Sequence, residues 1–516
     1  MAVQLVWFKK DLRTIDHAPL ASAAGAGAVL CVYVVEPEQL QADDADERHW
    51  RFLRQSLEQL DQRLRQLGSR LPVLKGELPG VFSELHQRFG ISKIWCHEET
   101  GNCLSYQRDR RVRAWCRTAG VPLQEIPQTG VVRRLRSRDG WSSIWRERMR
   151  EPLIPEPVRL CCGAVACFGE PFDELAIPVA LRPGPEWSQR ASGRTGGETA
   201  FQAGGWQVAE RCLESFLEVR GADYRRSMSS PVTGESGCSR LSPYLAFGNL
   251  SIRQVVQRSR TRLLQVREDL REGRAVDGSW VQSLISFESR LSWHCHFMQK
   301  LEDEPELEFR NVNRAFDGLR EGEFRDDWFL AWQEARTGYP MVDACMRALR
   351  ATGWINFRMR AMLMSFAAYH LWLHWRRPAL HLARLFTDYE PGIHYSQCQM
   401  QSGVTGINTI RIYSPAKQAR DQDPAGEFIR RWVPELEGVP DEFLAEPQRM
   451  TVFQQTLFGC RIGRDYPVPL VEHETAYRRA RDRMFAVRGT SFAREQAAEV
   501  YEKHGSRRRP LTDGNR

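Results

Sequence analysis

Two stretches of this chain gather residue types that could hold a charged ligand. In Trp354-Ile-Asn-Phe-Arg-Met-Arg360, Arg358 and Arg360 sit among Met359, Met362, Met364 and Phe366. A guanidinium on an apolar helix must find an anion or leave the core. Asp388 and Glu390, beyond the turn at Pro378, are the expected partners, and a purely structural ion pair is the plainer account of such a pattern. The second stretch, YRRSMSSPVTGESGCSRLS from Tyr224 to Ser242, places Gly, Ser and Thr ahead of a helix expected near Leu241. Backbone N–H groups and hydroxyls converging on a helix start suit a diphosphate; an N-cap with its loop is the plainer reading.

Other chemistries find less support. His294, Cys295 and His296 are consecutive on a helical pattern, so they face different directions, and no second ligand pair has suitable spacing. No metal site is expected. His97-Glu-Glu-Thr100 lacks the second histidine of a zinc protease, and no Gly-x-Ser-x-Gly is present for a serine hydrolase.

The elements that must position these residues fall into two kinds. Val3–Phe8 and Val29–Val35 are β-branched and aromatic runs with an alanine-rich helical stretch between them. The alternation repeats with a helix over Leu53–Leu67, a strand over Leu71–Leu74, a helix over Val81–Phe89 and a strand over Ile91–Cys96. Residues 1–135 therefore read as a doubly wound parallel α/β domain. No Gly-x-Gly-x-x-Gly or P-loop follows any of these strands. Pro and Gly accumulate between Pro155 and Thr199, marking a connection over 136–204. Residues 205–516 read as a large all-α domain, with helices over Trp280–Leu301, Gly338–Leu349 and Asn356–Trp375.

Bulk composition agrees with a two-domain globular protein. The chain has 516 residues, of which 42% are hydrophobic and 27% charged. Its mean hydropathy of −0.49 excludes a chain dominated by membrane spans. Lys9, Lys10 and Arg13 follow the first apolar run, the reverse of a signal peptide, and 13 scattered cysteines without a Cys-x-x-Cys pair fit reduced thiols, so a cytoplasmic location is expected. The balance of 73 basic against 65 acidic residues tilts the chain toward polyanions.

Six stretches in collinear order resemble the DNA photolyase and cryptochrome family. They are VWFKKDLRTIDHAPL from Val6, SRLSPYLAFGNLS from Ser239, TGYPMVDACMRALRATGW from Thr337, RMRAMLMSF from Arg358, RIYSP from Arg411 and GEFIRRWVPEL from Gly426. The resemblance implies FAD held in the helical domain, and a second, antenna chromophore, folate or deazaflavin, in the α/β domain. It implies that Tyr224, Cys238, Ser239, Arg240, Leu241 and Ser242 face the FAD phosphates, with Arg360, Asp388 and Glu390 around the isoalloxazine. It further implies a monomer that binds UV-damaged DNA and splits pyrimidine photoproducts in blue light, or else a photoreceptor that signals through a protein partner. Trp293, then Trp354, would face the lesion, and Lys417, Arg430, Arg431 and the Arg507–Arg509 tail would grip DNA phosphates.

The chain departs from that family's pattern where chemistry is expected. A lesion-contacting glutamate corresponds to Arg290, an asparagine to Phe357 beside Asn356, and an aromatic platform to Cys398. Of the tryptophan chain that reduces the flavin, Trp375 matches the middle member. The proximal one falls at or beside Ser396 and the distal one near Gly322, so Trp372, Trp328, Trp354 and Tyr395 are the alternative carriers. The residue beside flavin N5 is either Gly392 or His394, and His394 there would tune flavin protonation.

Overall fold

A computed structural model describes residues 2–162 and 201–505; most of the Pro/Gly-rich connection and the Arg507–Arg509 tail lie outside the described residues. Five parallel strands, β1 (Val3–Phe8), β2 (Ala28–Val35), β3 (Val73–Lys75), β4 (Ile91–His97) and β5 (Leu123–Ile126), form one sheet in the order β3-β2-β1-β4-β5. Side chains alternate between two apolar layers. Leu5 and Trp7 join Leu30, Val32 and Val34 on one face, while Val6 and Phe8 join Val29 and Cys31 on the other. A strand covered on both faces reads as a continuous apolar run, which is why β1 and β2 were legible in the sequence. β5, whose residues are only half-buried or exposed, was not.

Strand order reverses at β1, and the carboxyl ends of β1 and β4 meet a buried polar cluster. Asp11 accepts from Lys9 N (2.6 Å), His17 Nε2 (3.0 Å) and His97 Nδ1 (2.6 Å). Three ligand-type side chains in one place invite a metal. Leu20 N, however, donates to His17 Nδ1 at 3.1 Å, so the proton is on Nε2 and points at Asp11. A metal at Nε2 would have to break that helix cap, and the cluster is a self-satisfied hydrogen-bonded triad.

The second domain is helical. Its largest core collects the helices Pro340–Thr352, Phe357–Ser365, Arg376–Leu385 and Pro391–Gln401. A smaller core joins Trp141, Trp145 and Met149, from the connection, to Trp206–Glu218, Ile252–Arg271 and Ser279–Asp303. The helix expected over Asn356–Trp375 is interrupted. It passes through a π turn over Phe366–His370 and breaks at Trp372, whose φ is 53°. That backbone is held by Arg320 and Arg483, whose guanidinium carbons lie 4.6 and 4.4 Å from the Trp372 ring centre.

His370, at the end of that turn, is fully buried, and burial brings its imidazole down to about 3. An unfolded histidine titrates near about 6.5. Between those values the unfolded chain binds a proton that the folded chain does not, so stability rises with pH and is lost on acidification. From neutrality to about pH 5 this group alone removes about 2 kcal/mol. Urea midpoints compared at neutral pH and at about pH 5 should show the loss, and His370→Phe, which keeps the stack on Phe366, should lessen it by about 2 kcal/mol.

Candidate functional site

The segment from Tyr224 to Ser242 folds as more than a loop. Tyr224–Ser227 and Pro231–Gly237 are short helices, and the helix expected near Leu241 covers only Ser242–Ala246, too short for a strong dipole. Between them Cys238, Ser239 and Arg240 make a tight turn in which Arg240 takes a φ of 60°. Three anchors fix this strained turn. Leu241 is buried in the smaller helical core, Gln202 bonds Arg240 at both its carbonyl (2.9 Å) and Nε (3.1 Å), and the Arg240 guanidinium lies 3.9 Å from the Trp354 ring centre. Arg220 donates to the carbonyls of Ser236 (2.8 Å), Cys238 (2.6 Å) and Ser239 (3.2 Å). Arg220 and Gln202 were missed in the sequence because their partners are backbone atoms, which leave no residue-type signal.

Beside this turn lies the ion pair. Arg360 donates Nη1–H to Asp388 Oδ1 (2.9 Å) and Nη2–H to Oδ2 (2.7 Å), and its Nε–H to the carbonyl of Ile355 (2.9 Å). Phe386 lies under the guanidinium at 4.0 Å. Burial pushes the Asp388 carboxyl up, but Arg360 and the Ser242 hydroxyl more than offset this and hold it below the usual carboxylate range. Ser242 thus joins the turn to the pair. Burial pushes the Cys238 thiol up to about 11, so it stays protonated. Tyr224 is packed edge-on to Phe216 and Phe287 and shares its hydroxyl with Arg290, the residue at the expected lesion-glutamate position.

Three buried polar atoms near this centre have no protein partner: Asn356 Oδ1, Arg358 Nε and Thr387 Oγ1. Buried polar groups are ordinarily satisfied, so these three fit a polar ligand beside the pair. Asn356 also donates to the carbonyls of Met228 (3.1 Å) and Ser229 (2.8 Å), tying the turn to the Phe357–Ser365 helix.

The remaining candidates divide. His394 is buried, neutral at about 4 because of burial, and donates Nε2–H to the carbonyl of Ala379 (2.8 Å). The Cys398 sulfur is 3.6 Å from the same nitrogen, which carries a proton and cannot deprotonate the thiol. At Gly392 the helix Pro391–Gln401 presses on Ser279–Asp303 so closely that a Cβ would lie 2.6 Å from Met298 Cα. Trp375 is fully buried, donates to Asn311 Oδ1 (2.7 Å) and lies 6.3 Å from Tyr395, whereas Trp372 and Trp328 are covered by arginines elsewhere and Trp354 by Arg240 of the turn. Trp293 is 37% exposed, against His296 and Phe297. Of the cations named for DNA, Arg430 is engaged by the carbonyls of Ala425 and Val439 and by Asp441. Lys417 and Arg431 are exposed and paired only with Asp421 and Glu235 at the surface.

A five-stranded parallel domain docks on a helical domain that holds a buried arginine–carboxylate pair beside a strained turn, which makes this a two-domain α/β plus helical protein with a buried polar site in its helical half. Residues 4–138 match the family model for DNA photolyase, and residues 287–486 match the FAD binding domain of DNA photolyase. The chain belongs to the photolyase and cryptochrome family. It is 26% identical to a deoxyribodipyrimidine photo-lyase of Alkalihalophilus pseudofirmus, over 93% of this chain and 97% of the relative. It is 28% identical to Cryptochrome-2 of Arabidopsis thaliana, over 92% of this chain and 77% of the relative. A crystal structure of a bacterial class III photolyase from Agrobacterium tumefaciens superposes with a TM-score of 0.80 at 25% identity, covering 95% of this chain and 98% of that one. Among the described residues no helix is long and apolar enough to cross a membrane.

Arg360→Met leaves the buried Asp388 carboxylate unpaired, which costs about 3–5 kcal/mol. The variant should unfold at lower denaturant and purify without bound flavin. Ser242→Ala, which removes only a hydroxyl from the same carboxylate, should cost about 1 kcal/mol in the same measurement.

Proposed function

We propose that this protein is a light-dependent DNA repair enzyme that splits pyrimidine photoproducts using FAD. The Arg360–Asp388 clamp carries this reading, because it is joined through Ser242 to the turn and surrounded by unpaired buried polar atoms. Fully reduced FAD, when bound, supplies a light-excited electron donor for splitting the dimer. Ser239, Ser242 and Tyr224 offer hydroxyls for its diphosphate, with Arg240 beside them as the counter-charge. Arg360 and Asp388 hold the ring system in a dry site. A further chromophore in the α/β domain is part of the same reading.

On the DNA side, the half-exposed Trp293 offers a stacking face one turn from Arg290, whose charge acts on the Tyr224 hydroxyl. A lesion is already poorly stacked, so extruding it costs less than extruding a normal base. Lys417 and Arg431 have exposed charges whose surface pairs are worth little, and phosphates can replace their partners. Arg430, committed to two carbonyls, shapes the rim.

A second reading, a photoreceptor signalling to a protein partner, draws on Arg290, which gives the pocket a guanidinium where a repair enzyme would offer a carboxylate to the lesion. The two readings separate in a single assay. Purified, reduced, FAD-loaded protein should convert oligonucleotides carrying a cyclobutane dimer or a (6-4) photoproduct under blue light and not in the dark. Bound, photoactive FAD without conversion of either lesion would move the assignment to the photoreceptor.

Trp293→Ala should weaken binding to damaged DNA by about 1–3 kcal/mol, roughly ten- to a hundredfold, with FAD content unchanged. Equal losses on damaged and undamaged duplex would remove Trp293 from lesion recognition.

A further inference from the structure

A small cavity of about 30 Å³ lies at the junction of the two domains. It has room for water. The α/β domain contributes Lys10, Arg13, Thr100, Gln128 and Thr129 to its wall, and the helical domain contributes His294, Met298 and Glu390 among others. Two of these groups are unsatisfied: Glu390 Oε1 and His294 Nδ1 are buried without a hydrogen-bond partner. A water here could donate to His294 Nδ1 and exchange a proton with the Glu390 carboxyl.

Both residues also reach the flavin site described above. Glu390 is two residues beyond Asp388, at the N-cap of the Pro391–Gln401 helix, where its backbone carbonyl accepts the helical bond from the His394 backbone amide (2.8 Å). His294 feels the Asp388 charge directly. Glu390 is held in place because Gly392 lets the two helices close onto Met298.

The charges facing the carboxyl set its behaviour. Burial pushes Glu390 up to about 6, with Glu99 adding to the rise and Lys10 opposing it. Arg13, on the same wall, is held by the carbonyls of Gly248 (3.2 Å) and Asp16 (3.1 Å). Burial keeps His294 neutral at about 4, with Asp388 opposing. The cavity is therefore bordered by one acid that exchanges its proton near neutrality and one neutral imidazole that can accept and pass a hydrogen bond.

We propose that Glu390 and His294, joined by water in this cavity, form the proton route between the interdomain cleft and the flavin pocket, with Glu390 as the group that stores the proton. When an external reductant gives bound flavin an electron, the Glu390 O–H bond breaks, its proton joins the water beside His294, and that water gives one of its own protons to the reduced cofactor, so that one proton follows the electron. The carboxylate left behind faces Lys10 and takes a proton back from cleft water at the Gln128 and Thr129 rim. The proposal rests on FAD occupying the Arg360–Asp388 site, and it requires neither DNA nor light.

The test is an anaerobic stopped-flow measurement in which the full-length, FAD-loaded protein is reduced by a chemical reductant in the dark while a pH indicator follows proton uptake. In the unaltered protein proton uptake should keep pace with reduction. Glu390→Gln should slow proton uptake by on the order of a hundredfold, and Glu390→Asp should restore part of it. Proton uptake that still keeps pace with reduction in Glu390→Gln overturns the proposal. Should Glu390→Gln fail to hold FAD, His294→Phe, which removes the other partner of the water, decides alone by the same measurement. Unaltered protein that takes up no FAD defeats the flavin reading itself, whereas bound FAD with unslowed proton uptake in these variants defeats only the proton route.

Discussion

The bidentate contact between Arg360 and Asp388 is the constraint on which the helical domain is arranged. Two opposite charges removed from water are tolerable only if every remaining donor and lone pair is met. Arg360 meets this with the Ile355 carbonyl and the Phe386 face, and Asp388 with Ser242. Each partner fixes a different element. Ile355 sets the entry to the Phe357–Ser365 helix, Phe386 the exit from Arg376–Leu385, and Ser242 the turn that follows Pro231–Gly237. One electrostatic requirement thereby places three segments far apart in the chain around a single point.

The strained Arg240 turn depends on that point. A non-glycine residue at positive φ persists only where its surroundings over-determine it, and here Gln202, Trp354 and buried Leu241 do so. The same geometry commits the carbonyls of Ser236, Cys238 and Ser239 to Arg220. Carbonyls turned toward Arg220 cannot repel an anion, so the residue that shapes the turn also makes it more receptive to phosphate.

Much of this was legible in the sequence where a residue's type dictates its partner. An arginine among methionines demanded an acid, and Asp388 supplied it; strands covered on both faces announced themselves as apolar runs. Glu390 was read as a second acid for the same arginines, yet its carboxyl turns toward the interdomain cavity. Sequence spacing cannot tell which way two acids two residues apart will point when the intervening backbone leaves a strand-like N-cap at Glu390. The break at Trp372 was invisible for a similar reason. Apolar periodicity runs straight through it, and the arginines that hold it come from residues 320 and 483. The Asp11 triad went unread because six elements separate His17 from the strand that carries His97.

The departures from the family pattern are confined to one part of the site. Ser239 to Ser242, which would hold the diphosphate of a flavin, and the Arg360–Asp388 clamp, which would hold its ring, form a closed and mutually bonded set. The resemblance assigns Arg290, Phe357, Gly392, His394 and Cys398 to the reacting end, where it would meet a lesion or a proton. Holding a diphosphate requires one geometry, because every donor must reach a fixed anion, and a single substitution leaves a charge unpaired. The reacting end is bounded instead by packing and by neutral groups such as His394 and the Cys398 thiol, whose replacement changes proton access and shape without leaving a buried charge. The nucleotide end is therefore the part of this site that sequence pattern identifies best, and the reacting end is the part where its specific chemistry is written.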